Sequence, residues 1–162
     1  MTTSITIGPH QLGAALRKEG EKMPKIIAQS ALAAANRLKT YMVRLTDRMG
    51  ITDTGIYKNS FVVHGSMSGT GRQATVINEA PHAGIVEMGA RPHHVGKEGR
   101  EALKLWCMRK LGLREKEAEE ASWAIAHKIA EVGIQGRYVF RNSLDVAIKF
   151  YKEELVRRLK NQ

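Results

Sequence analysis

Apolar residues in the first third of this chain recur in steps of three and four. Ile27, Ala31, Ala34, Leu38, Tyr41, Leu45 and Met49 draw one stripe, with Lys25, Asn36, Lys39 and Arg44 on the opposite side. That is the spacing of a helix that buries one face. Pro24 stands where such a helix would open and Gly50 where it would stop, because proline suits a first helical turn and glycine the left-handed position after the last. The run Ala31 to Ala35 is small enough for another helix to come close. Residues 1–8 alternate polar and β-branched side chains, which predicts a short strand closed by Gly8 and Pro9. Pro9 then suits a short helix carrying Leu12, Ala15 and Leu16, so residues 1–22 read as an N-terminal arm.

The rhythm changes after Gly50. Thr52, Asp53, Thr54 and Gly55 are turn formers, and Ser60–His64 and Gln73–Ile77 are β-branched or aromatic runs. They predict a β-hairpin over 58–78 with a flexible, glycine-rich loop at 65–71. Met67 in that loop has no packing reason to be there, which makes it a candidate partner contact. Ala80–Met88 reads as a short helical or irregular piece and Gly89–Gly96 as a loop. Helical spacing returns from Glu98 to Leu111, breaks at Gly112, and resumes from Arg114 to Val132 with Ala118, Ala121, Ile125 and Ile129 as its buried line. Gly133 and Gly136 bracket a turn, and Tyr138–Phe140 reads as extended. The last helix, Ser143–Lys160, would bury Leu144, Ala147, Ile148, Tyr151, Leu155 and Leu159, with Asn142 or Ser143 as its N-cap. The expected fold is α+β, a single domain over 1–162 in which a small antiparallel sheet with a long hairpin packs against a long N-terminal helix and C-terminal helices.

Composition narrows the function. A single cysteine, Cys107, excludes an internal disulfide and a cysteine-based zinc site, and its helical position reads as a small buried hydrophobe. No apolar run reaches the roughly 18 residues of a membrane span, and the first residues lack the features of a signal peptide. Synthesis and use in the cytosol, or assembly there into something larger, with no membrane partner, is therefore expected. The net charge of +10 favours polyanions. Its excess lies in Lys97–Lys110, Arg137–Arg141 and Lys149–Lys160. Two readings stay open for it, a solvated basic face and a surface that meets DNA without regard to sequence.

Reactive chemistry finds no anchor. His82, His93 and His94 lie close in sequence with Glu87 between them, but their spacing matches no helical ligand pair. There is no Gly-x-Ser-x-Gly elbow, no phosphate-binding Gly-x-x-x-x-Gly-Lys loop and no dinucleotide fingerprint. Pairs such as Glu119–Glu120 and Glu153–Glu154 read as exposed helix faces. No metal, cofactor or enzymatic activity is expected. A sequence-independent DNA-binding protein is the alternative reading, although no helix-turn-helix, zinc finger or stacking aromatic set can be identified.

Within Asn78–His93, the residues Ala83, Val86, Glu87, Gly89 and Pro92 follow the order Tyr-Ala-x-x-Val-Glu-x-Gly-Thr-x-Pro, with His82 in the tyrosine place and Ala90 in the threonine place. This segment resembles the signature of the phage protein family typified by gene product ten of phage HK97. Thr54–Ser60 is similar to that family's Thr-Gly-x-Leu-x-x-Ser approach to the hairpin. Gly136–Leu144 is similar to its Pro-Phe-Leu-x-Pro-Ala approach to the C-terminal helix, with the prolines missing and Tyr138–Phe140 in that place. On these motifs the resemblance spans about Ile26 to Leu159.

The resemblance implies a structural virion protein of the neck or tail, a closed and commonly hexameric ring. Such a ring would join a head-side connector or stopper to a tail terminator or tail tube around the DNA channel. Its implied subunit or ring-to-ring contacts are Met67, Glu87, Gly89, Arg91, Pro92 and His93. Arg137, Arg141 and Lys149 are the candidates for non-specific contact with genomic DNA in the lumen. Two roles remain open for Glu87: capping or pairing with Arg91 inside one subunit, or meeting a basic group on the next.

Overall fold

The computed structural model describes residues 9–65 and 73–161; for residues 9–19 and for Glu21 only the backbone is described. In chain order it contains α1 (Pro9–Arg48), α2 (Ile56–Asn59), β1 (Phe61–Gly65), β2 (Ala74–Asn78), α3 (Ala83–Met88) and β3 (Gly89–Ala90). Then come α4 (Lys97–Leu111), α5 (Glu115–Val132), β4 (Ile134–Gln135), a short 3-10 turn at Arg141–Ser143, and α6 (Leu144–Lys160). The α+β class is as expected: helices dominate, β1 pairs with β2, and β3 pairs antiparallel with β4. The strand expected at 1–8 and the loop carrying Met67 lie outside the described residues.

The chain divides into two compact units. The first comprises Met1–Thr40, Val62–Ile77 and Leu144–Gln162. Its helix does not begin at Pro24. α1 is continuous for 40 residues with Pro24 in its interior. The proline forfeits one helical hydrogen bond, to the carbonyl of Gly20, at a cost of about 3 kcal/mol. The turns on either side keep theirs, so a long helix carries the defect. Its most buried residues here are Ile26, Ala28, Ser30, Ala34 and Ala35. The predicted stripe is thus rotated, with Ile27, Ala31 and Leu38 half-buried beside the buried line.

α6 departs further from expectation. Leu144, Ile148 and Leu159 are exposed, and the buried residue is Glu154. Ala147, Tyr151 and Leu155 are half-buried, and an ion cluster lies on the same helix. Arg37 of α1 donates to Glu154 at 3.2 Å and to Glu153 at 2.7 Å, and its guanidinium lies 4.2 Å from the Phe150 ring centroid. Arg157 donates to the other Glu154 oxygen at 2.6 Å, and Arg158 donates to Gln29 at 3.0 Å. One charge-assisted bond from each of two guanidinium groups satisfies a buried carboxylate that would otherwise be costly.

The second unit comprises Tyr41–Phe61 and Asn78–Ser143. Its core residues include Met42, Tyr57, Phe61, Cys107, Ala118, Ala126 and Val139. α4 and α5 form an antiparallel pair turned at Gly112, whose φ of +66° suits glycine. Small residues, Ala118, Ser122 and Ala126, are the buried line of α5, with Ala121, Ile125 and Ile129 half-buried. Lys104 bridges the pair by donating to Glu115 at 3.0 Å and Glu119 at 3.1 Å.

The arginine contacts of Glu154, Arg157 first, hold its carboxyl below the usual carboxylate range against the opposing effect of burial. A depressed folded pKa contributes stability above the unfolded value near 4.5, and that contribution is lost as pH falls through the folded value. Urea denaturation at pH 7, 5 and 3.5 should show a fall in stability below about pH 4.5 that is shallower in Glu154→Gln. Parallel profiles for the two proteins would refute this role.

Candidate functional site

The three motifs singled out in the sequence meet in the second unit. Asn78 ties two of them together: its side-chain amide donates to the Tyr57 carbonyl at 2.8 Å while its side-chain oxygen accepts from the Ala80 amide at 3.0 Å. The Glu79 amide donates to the Ser60 carbonyl at 2.9 Å. Aromatic rings continue the contact, with Tyr57 at 5.4 Å from Phe61 and 6.0 Å from His82, and Phe61 at 5.9 Å from Phe140.

Glu87 anchors the third motif. Its carboxylate accepts from the backbone amides of Phe140 at 2.9 Å and Arg141 at 3.0 Å. The carbonyls of Val86 and Glu87 accept from the amides of Arg137 and Tyr138. These bonds turn the chain where an extended segment was expected, and Tyr138 takes a φ of +52°. The expected side-chain cap of the last helix is also absent: the Ser143 hydroxyl donates back to the Val139 carbonyl, and the Asn142 amide to that of Arg137. Inside the chain, Glu87 caps backbone rather than pairing with Arg91.

Glycines make this closeness possible. Gly89 and Ala90 pair with Gln135 and Ile134, so a strand stands where Gly133 and Gly136 were expected to bracket a turn. A Cβ on Gly89 would lie 2.1 Å from the Ile134 carbonyl oxygen, and one on Gly133 would lie 2.2 Å from that of Ala90. Both have positive φ, +79° and +77°. Gly136 is blocked likewise, 2.6 Å from the Glu87 carbonyl oxygen. The pattern Gly133-x-x-Gly136 was visible in the sequence, but its partner strand was not.

The other predicted site residues are displayed rather than buried. Arg91, Pro92 and His93 are exposed, and the His93 Nδ1 lies 2.8 Å from the Arg91 carbonyl oxygen. Met88, beside them in sequence, is 74% exposed. Arg137 and Arg141 are exposed in this unit, the latter 5.7 Å from the Tyr138 ring centroid. Lys149 is exposed in the first unit. Part of the basic excess is engaged within the fold: Arg109 pairs with Asp53 at 2.7 Å, and Lys110 donates to the Thr52 carbonyl.

A cavity of about 460 Å³ lies between the Thr52–Lys58 turn and α4, walled by Leu103 and Trp106. Its charged groups are already paired, Asp53 with Arg109 and Lys58 with Asp47. Among the described residues no group of three His, Cys, Asp or Glu could hold a metal, and no helix is long and apolar enough to cross a membrane.

Comparison with protein families bears on part of this arrangement. A family described as "Bacteriophage HK97-gp10, putative tail-component" matches residues 10–89. Over that segment the chain is similar to the HK97-gp10-like family. The match covers just under half of the chain and takes in Thr54–Ser60 and the signature as far as Gly89. Arg91, Pro92, His93 and the Gly136–Leu144 motif lie beyond it. A phage tail component is a structural virion class. No curated protein and no solved structure matches the chain.

Stability should divide the Asn78–His93 segment in two. Gly89→Ala adds positive-φ strain to a backbone clash and is expected to cost about 3 kcal/mol or more. Glu87→Ala, which orphans two amides, should cost about 2–3 kcal/mol. Arg91→Ala should stay within about 0.5 kcal/mol of the parent. Chemical denaturation of the three variants checks the ranking, and an equal loss for Arg91→Ala would contradict it.

Burial, aided by the charge of Glu87, pushes the Tyr57 phenol up to about 12, and among the described residues its hydroxyl has no hydrogen-bond partner. Tyr57→Phe is therefore expected to be neutral or stabilising. A loss above about 1 kcal/mol in the same assay would show that the hydroxyl does have a partner.

Proposed function

We propose that this protein is a non-enzymatic structural subunit of a phage neck, a tail-completion or head–tail joining protein. The whole chain, 1–162, acts as one subunit of a hexameric ring. That ring links a head-side connector or stopper to a tail terminator or tail tube around the DNA channel, and it assembles in the host cytoplasm. The family match carries the virion reading. One geometric observation carries the assembly reading: backbone fixed at Glu87 and Gly89 leads directly into the exposed Arg91, Pro92 and His93.

A head-to-tail ring needs a surface that meets a different surface on the next copy. On this reading Arg91, Pro92, His93 and Met67 face a neighbour, while Glu87 and Gly89 hold the signature in shape. Arg137, Arg141 and Lys149 make diffuse contact with passing DNA. A sequence-independent DNA-binding protein remains the second reading, favoured by the net charge of +10.

Light scattering coupled to size exclusion tests the proposal. The parent should form a ring-sized oligomer alone or with its partner ring. Arg91→Ala/His93→Ala should abolish assembly while leaving thermal stability unchanged. A stable monomer that binds duplex DNA tightly at physiological salt would support the second reading instead.

A further inference from the structure

We propose that the small cleft between the start of α4 and α5 is a phosphate-binding site, with Arg100 as its principal ligand and the DNA backbone as its source of phosphate. Arg37, Arg109, Arg157 and Arg158 each face an acceptor within the fold. Arg100 does not. Among the described residues no carboxylate or carbonyl takes its N–H groups, and its guanidinium lies 4.0 Å from the ring centroid of Trp123. Trp123 is itself 53% exposed. The cation–π contact holds the guanidinium against the ring face and uses none of its N–H donors, so a forked donor is held in place and not neutralised.

The cavity beside it completes the site. It measures about 100 Å³ and is lined by Arg100, Trp123, His94 and His127, with Ala126 and Ala130 on the α5 side. That is about three waters' worth at ~30 Å³ each, room for one tetrahedral oxyanion and well below the roughly 300 Å³ of a drug-sized pocket. Both imidazoles can donate N–H. The carboxylate of Glu131, 3.4 Å from His127 Nδ1 and also paired with Lys128, leaves the second ring nitrogen of His127 for a ligand. The N-cap of α4, Gly96, carries no side-chain cap. The net charge of +10 makes a polyanion the natural supplier of that phosphate. The site rests on the virion reading only for the presence of DNA nearby, and its residues are distinct from Arg137, Arg141 and Lys149.

Fluorescence anisotropy of a labelled short duplex, titrated with the full chain across a salt series, tests the site. Arg100→Gln should weaken binding about tenfold at low salt and reduce the salt slope by about one. Arg100→Lys, which keeps charge but loses the fork, should fall between. Inorganic phosphate, titrated against Trp123 fluorescence in a Trp106→Phe background, should give a saturable change that Arg100→Gln abolishes. Phosphate binding without any change in duplex affinity would overturn DNA as the source. Loss of neither would overturn the site. A wild-type protein that stays monomeric both alone and with its partner ring would defeat the ring reading and leave both titrations intact.

Discussion

Two lengths of backbone, Glu87–Ala90 and Gly133–Gly136, lie closer together than side chains would allow. Three glycines remove the obstacle, and the ladder of β3 and β4 together with the amides of Arg137 and Tyr138 uses the polar groups brought together there. Buried backbone must find partners, so this approach dictates the conformations around it. The Glu87 carboxylate completes the arrangement by accepting two amides from the same returning segment. Asn78 and the Tyr57–Phe61–Phe140 rings then bind the Thr54–Ser60 turn to it. Motifs separated by up to about eighty positions become one object.

Element type was legible wherever one periodicity ran long enough. The spacing of α4, α5 and α6 and the β-branched runs of the hairpin placed those elements within a few residues. Burial was harder to read, because it depends on what the neighbour offers. Ser30 and Thr46 are buried although polar, the Thr46 hydroxyl donating to the Val43 carbonyl, and Glu154 is buried because arginines answer it. An apolar count along α6 sees Leu144 and Ile148 as core, yet both are exposed. Pro24 misled for a related reason, since a local rule about helix starts gave way to the cooperativity of a long helix.

The candidate site was legible as a motif and illegible as a mechanism. Glu87 and Gly89 stood out by their order in the signature, but their partners lie near residues 133–141, which no local pattern connects to them. Charge showed the same limit. The stretch Lys97–Lys110 reads as a basic excess, whereas Lys104, Arg109 and Lys110 are occupied within the fold and Arg100 is not. A net charge says how much is present; only geometry separates the cations that are spent from those that are free.

The stretch from Arg91 to His93 leaves a backbone pinned at Glu87, Gly89 and Ala90, and Pro92 restricts it again from within. Much of the conformational entropy that a surface loop surrenders on docking has therefore been lost already, during folding. Whatever meets this loop meets a shape rather than an ensemble. Its affinity then depends mainly on complementarity, and small changes in the glycines behind the loop would be felt as changes in recognition at its tip.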